Sequence, residues 1–145
     1  MSPPVRRMVR VVLDTNVFLS GIFFGGIPGR LLDAWQAGHL TLVLSPAILA
    51  EYHRASAALA ARYPGIDTAL HPLLALVTQS AAMVDAPDLP DAVSADPDDD
   101  KFLACAVASR TPVIVSRDKH LLHLSGWSGI EVLTPRQMLD RYIAE

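Results

Sequence analysis

A chain of 145 residues fits one domain of ordinary size and leaves no room for two full ones. With 51% apolar and 19% charged residues, it is neither a disordered chain nor a charge-rich tail. The single Cys105 excludes an intramolecular disulfide and a thiolate-rich zinc knuckle. The net charge of −3 is unevenly spread. Eight of the fifteen acids fall between Tyr63 and Asp100, where there is no Lys or Arg, so the rest of the chain carries an excess of five positive charges. A polyanionic partner therefore remains open, above all if cations neutralise some of the clustered carboxylates.

The sequence predicts one domain over 1–145, with 1–8 as a flexible N-terminus. Arg6, Arg7 and Arg10 precede an apolar run too short for a secretory core or a membrane span, so a soluble, cytoplasmic protein with no membrane partner is expected. The run Val9 to Leu13 is β-branched and continuously apolar, as in a strand buried on both faces. Leu31, Leu32 and Trp35 share a stripe of a helix over 29–37, with Trp35 in the core. A second strand follows at 41–44. Ser45 as N-cap and Pro46 at the first helical position open a helix over 46–61, which Pro64 and Gly65 stop. A helix over 66–79, a weaker strand signal at 82–84, a helix over 97–110, strands at 113–115 and 130–133, and a helix over 135–143 capped by Thr134 complete the pattern. Strands alternating with helices imply an α/β fold of three α/β/α layers, with a mostly parallel sheet of four to five strands.

Ligands in such folds bind beyond the carboxyl ends of the strands. Asp14 directly follows the first strand and Asp118 follows the strand at 113–115. Glu51 lies five residues after Pro46 on the helix leaving the second strand, near enough to lean toward the same rim. The helix from Pro97 runs down to feed the strand at 113–115, so Asp96, Asp98, Asp99 and Asp100 start at that rim too. Asp99 shares a helical stripe with Phe102, Leu103 and Ala106 and is expected to point at the site; Asp100 is the alternative and Asp96 reads as an N-cap. First-turn acids also serve the helix dipole, which is the plainer account of the triple aspartate. Asp14 has no such plain account, because a carboxylate ending a buried strand is costly unless hydrogen-bonded or bound to a cation.

Oxygen ligands without thiols suit Mg²⁺ or Mn²⁺, and the matching chemistry is phosphodiester hydrolysis, with the acids brought within shared reach of a cation. Arg6, Arg7, Arg10, Arg30 and Arg54 could meet RNA phosphate, but the sequence shows no aromatic platform for stacking bases. His120 and His123 are read as surface histidines, and Cys105 as a small buried residue.

Four motifs, Leu-Asp-Thr-Asn-Val at 13–17, Ser-Pro-Ala-Ile-Leu-Ala-Glu at 45–51, Asp-Pro-Asp-Asp-Asp-Lys-Phe-Leu-Ala-Cys-Ala at 96–106 and Val-Ser-Arg-Asp-Lys-His-Leu-Leu at 115–122, together resemble the PIN domain family. They are most similar to the VapC-like toxins of prokaryotic toxin–antitoxin pairs. The resemblance implies Mg²⁺- or Mn²⁺-dependent ribonuclease activity and a metal-binding, catalytic set of Asp14, Glu51, Asp99 and Asp118. Asn16 and Ser116 would be polar neighbours of that set. It also implies an RNA substrate, a cognate antitoxin protein and a homodimer. Two rivals remain: a non-catalytic PIN-like module that binds RNA or protein, and an aspartyl-phosphate phosphatase with Asp14 as nucleophile, against which Asn16 stands where a second Asp is wanted.

Overall fold

The computed structural model describes residues 8–143. The reading of 1–8 as flexible falls, apart from Met8, outside that range. Strands β1 (Val9–Leu13), β2 (Leu40–Leu44), β3 (Ala82–Met83), β4 (Val113–Val115) and β5 (Glu131–Leu133) form one sheet in the order β3-β2-β1-β4-β5. All four pairings are parallel. Successive residues of a strand point to opposite faces, yet Val11, Val12 and Leu13 are all buried, as are Val113, Ile114 and Val115. Both faces are therefore covered by helices, which is the three-layer α/β arrangement.

The helices are α1 (Thr15–Phe23), α2 (Gly26–Gln36), α3 (Pro46–Arg62), α4 (Asp67–Ser80), α5 (Asp100–Ser109), α6 (Lys119–Leu122) and α7 (Pro135–Met138). Ser45 accepts the Ile48 amide at 3.3 Å and Pro46 opens α3, while Thr134 and Gln137 close a capping box on α7. Helix α5 packs across β1, β2 and β4, and α2 packs on β2, α7 and the turn after it. Trp35 is in the core, and Cys105 is fully buried, which pushes its thiol up to about 11. Among the described residues no single helix is long and apolar enough to cross a membrane.

Three expectations change. Helix α1 lies where the sequence pattern predicted none, because Gly21 within it and Phe24, Gly25 and Gly26 directly after it blur the 3.6-residue period. The helix expected from Pro97 opens as a 3₁₀ turn over Pro97–Asp99 before α5, and the one expected over 135–143 passes into a π turn over Leu139–Ile143. Between α1 and α2 the chain turns by 96°, with Gly25 and Gly26 at φ +69° and +58°.

This elbow lays α2 directly on α1 at Gly21. A Cβ there would sit 2.7 Å from Leu32 Cδ1 and 2.9 Å from the Pro28 carbonyl oxygen. Gly21→Ala is expected to destabilise the fold by about 1–3 kcal/mol, the cost of overpacking, measured as a lower urea midpoint with an unchanged m-value.

Candidate functional site

The order β3-β2-β1-β4-β5 reverses direction between β1 and β4, and a crevice opens beyond the carboxyl ends of those two strands. Asp14 and Ser116 stand at those ends. The Asp14 amide donates to the Val115 carbonyl at 3.0 Å, tying the strand ends together. Asp14 is also the N-cap of α1: Oδ1 accepts the Val17 amide at 2.8 Å, and Oδ2 accepts the buried Ser116 hydroxyl. Ser116 Oγ in turn accepts the Asp118 amide at 2.9 Å, and Asp118 Oδ1 accepts the His120 amide at 2.7 Å as the cap of α6. One serine hydroxyl thus couples the two aspartates.

Helix α3 is fastened to the same rim by Tyr52. Its hydroxyl donates to the Leu13 carbonyl at 2.6 Å, and its ring stacks on Phe18 with centroids 4.3 Å apart. The preceding residue, Glu51, is thereby held over the crevice. Its Oε1 accepts from Lys101 Nζ at 2.5 Å and its Oε2 from the Thr15 hydroxyl. Asp99, the N-cap of α5, faces in from the other side, its Oδ2 3.5 Å from the Ser94 hydroxyl.

The resulting cleft, of about 290 Å³, is lined by Asp14, Asn16, Glu51, Asp96, Asp99 and Asp118, among others. Burial raises the Asp14 carboxyl above its ordinary value. The Ser116 and Val17 hydrogen bonds oppose that shift, and the charges of Asp118 and Glu51 add to it. Asp99 is pushed up to about 6, first by desolvation and then by Asp118, Asp96 and Asp14. The cleft therefore concentrates negative charge that water screens poorly, and Lys101 is the base that answers it. This all-oxygen donor set suits a hard divalent cation.

The carboxylates share the cleft without converging on one point. Among the described residues no three His, Cys, Asp or Glu side chains are already grouped to hold a metal. This differs from the expected shared reach, and the hydrogen bonds explain it: Glu51 is drawn aside by Lys101 and Thr15, and Asp118 by its own helical cap.

The structure brings Asp14, Glu51, Asp99 and Asp118 together, with the exposed Asn16 at the rim and Ser116 beneath. Asp96 lines the cleft, but its Oδ1 accepts the Asp98 amide at 3.0 Å as a cap. Asp100 belongs elsewhere. Its carboxylate accepts the Ser94 and Val93 amides at 2.7 and 3.0 Å, pinning the acidic loop, and it lines a neighbouring hollow. His120 and His123 are exposed. Arg10 sits in β1 toward its amino end, in contact with the Ser109 carbonyl at 3.4 Å, away from the acids; Arg6 and Arg7 lie outside the described residues. Sequence reasoning missed Lys101, Thr15 and Ser94. Lys101 had left a trace, as the first base after the long base-free stretch; a threonine beside Asp14 and a loop serine had left none.

A PIN domain family model matches residues 10–120. An uncharacterized protein of Methanocaldococcus jannaschii, MJ1680, is 27% identical over 144 residues, covering 92% of each chain. The crystal structure of PAE2754 from Pyrobaculum aerophilum superposes with a TM-score of 0.66 at 18% identity, over 95% of this chain and 91% of that one, a likeness of fold. PIN domains are generally nucleases and typically use divalent metal. With the family match spanning both strands that carry the acidic cleft, the chain belongs to the PIN domain family.

Proposed function

We propose that this protein is a Mg²⁺- or Mn²⁺-dependent endoribonuclease of the VapC-like toxin type, hydrolysing RNA phosphodiester bonds in the acidic cleft. The observation that carries the reading is the half-buried gathering of Asp14, Asp99, Asp118 and Glu51, in which burial first and neighbouring negative charge second raise Asp14 and Asp99, so that the cleft asks for added positive charge. A bound divalent cation would supply that charge, bind a phosphate oxygen and acidify a water for attack. Asp14, Asp99 and Asp118 are the residues to hold it. The Val17 amide and Ser116 hydroxyl fix the Asp14 carboxylate, so that it is presented in one orientation. Lys101 and Thr15 fix Glu51 at the cleft wall, where it can take a proton from a water at its edge. As a toxin, the protein would act in the cytoplasm as a homodimer and be silenced by a cognate antitoxin protein.

The absence of a preset metal group among the described residues favours, as the second reading, a PIN-like module that binds RNA or protein without cutting. The phosphatase reading loses ground, since both Asp14 oxygens are engaged and the residue is 5% exposed, unlike a free nucleophile.

Cleavage of a single-stranded RNA in Mn²⁺ separates the readings. Asp14→Asn keeps the N-cap and is expected to abolish cleavage with the fold intact by circular dichroism. Ser116→Ala should lower it ~10- to 100-fold, the usual cost of losing a ligand's supporting bond; wild-type protein that leaves the RNA whole would favour the binding module.

Millimolar Mn²⁺ should raise the Tm of the wild type by linkage and leave a variant lacking Asp14 and Asp118 unmoved. Equal shifts in both would remove the cleft from the account.

Without added cation, Asp99 also shapes stability against pH. Its value rises from 3.8 to about 6 on folding, so the folded state holds a proton the unfolded chain has lost, and this group's contribution to stability declines as pH climbs through that window. Asp99→Asn is therefore expected to gain Tm relative to wild type at pH 7 and to gain little at pH 4, by thermal melts in chelator.

A further inference from the structure

We infer that the flank shared by α1 and α3 is a track for single-stranded RNA, leading from the acidic cleft to a base-stacking platform made of Phe23, Phe24 and Tyr63. The inference rests on the reading that the cleft handles RNA phosphates, and it adds where the neighbouring nucleotides lie.

No aromatic platform is legible in the sequence, yet the fold assembles one from residues forty positions apart. Phe23 packs edge-on to Phe24 and to Tyr63, with ring centroids 4.5 and 5.2 Å apart. The Arg62 guanidinium lies 5.7 Å from the Tyr63 ring centroid. Phe24 is 78% exposed and Tyr63 45%, so the cluster is held in shape by its own edge contacts while ring surface is left open to solvent. Open aromatic faces beside a guanidinium are what unpaired bases stack on.

Two helical stripes connect this cluster to the cleft. On α1, Asn16 lines the cleft, and Ser20 and Phe23 follow at four and seven residues on the same face. On α3, Glu51 and Ala55 line the cleft, and Ala58 and Arg62 continue at intervals of three and four. The helices are joined at Thr15–Glu51, at Phe18–Tyr52 and at Phe23–Tyr63, so the stripes travel side by side. From Glu51 to Arg62 the path is about 16 Å long, the span of a few nucleotides. Its charge is permissive. Helix α1 has no ionisable residue, and α3 has a single acid, Glu51, already met by Lys101, against Arg54 and Arg62. Phosphates leaving the crowded acids therefore enter a lane of small side chains flanked by positive charge, and bases reach the rings at its end. A protein partner or a second copy of this chain would not need that continuity with the cleft.

The test uses the full chain in chelator, so that cleavage plays no part, and single-stranded RNA octamers carrying one 2-aminopurine at successive positions. Wild-type protein should quench the probe at one or two positions only, as stacking does. Phe24→Ala should abolish that quenching and weaken binding roughly 10-fold, the effect of losing one stacked base. Phe24→Leu, which keeps apolar bulk without a π face, should also lose the quenching. Arg62→Gln should reduce the slope of log K against log salt by about 0.7, one phosphate contact on a single strand. Absence of RNA binding by the wild type, or unchanged quenching in both Phe24 variants, would overturn the track. So would sedimentation showing that Phe24→Ala dissociates an oligomer while RNA affinity per chain stays the same. A protein that stacks the probe in chelator but never cuts RNA in Mn²⁺ would sink the cleavage reading and leave the track standing.

Discussion

The architecture turns on a single buried carboxylate. Through its amide Asp14 ties β1 to β4, through one oxygen it starts α1, and through the other it takes the Ser116 hydroxyl. The Val17 and Ser116 hydrogen bonds favour a charge in that position, yet burial still raises its proton affinity. Fold and site therefore share the same hydrogen bonds. The strand register that builds the sheet also decides where the acid points, and the chemistry proposed for the cleft draws on a cost that the fold already carries.

Charge is arranged around this point by distance as well as number. Asp99 and Asp118 crowd Asp14, whereas Asp100, adjacent in sequence to Asp99, is turned away to hold the acidic loop by two backbone amides. Lys101 then compensates Glu51 across the cleft. Four consecutive residues thus divide among unlike tasks, with Asp98 at the exposed edge of the cleft, Asp99 more enclosed within it, Asp100 bracing the loop and Lys101 answering the charge of a distant helix. A one-residue slip at the start of α5 would exchange these tasks, and the Asp96 cap with its 3₁₀ turn is what sets the phase.

Much of this was legible in the amino-acid order. The strands showed as continuous apolar runs because both sheet faces are covered, and the rim position of Asp14 and Asp118 followed from topology. The stripe linking Asp99 to Phe102 foretold its inward direction, since a cleft-facing acid must share the face that packs. Helix α1 was hidden because Gly21 answers to the approach of α2, a tertiary demand that leaves no periodic trace. The pairing of Lys101 with Glu51 and the joining of Phe23 to Tyr63 escaped for the same reason. Each joins side chains from helices whose relative placement no local pattern encodes.

The enclosed Cys105 has a practical corollary. The chain's single thiol is fully covered and its proton firmly held, so alkylating and oxidising reagents find almost no thiolate to attack while the protein stays folded. An engineered surface cysteine would then be the only reactive handle, and a fluorophore could be installed at a chosen point without first mutating the interior.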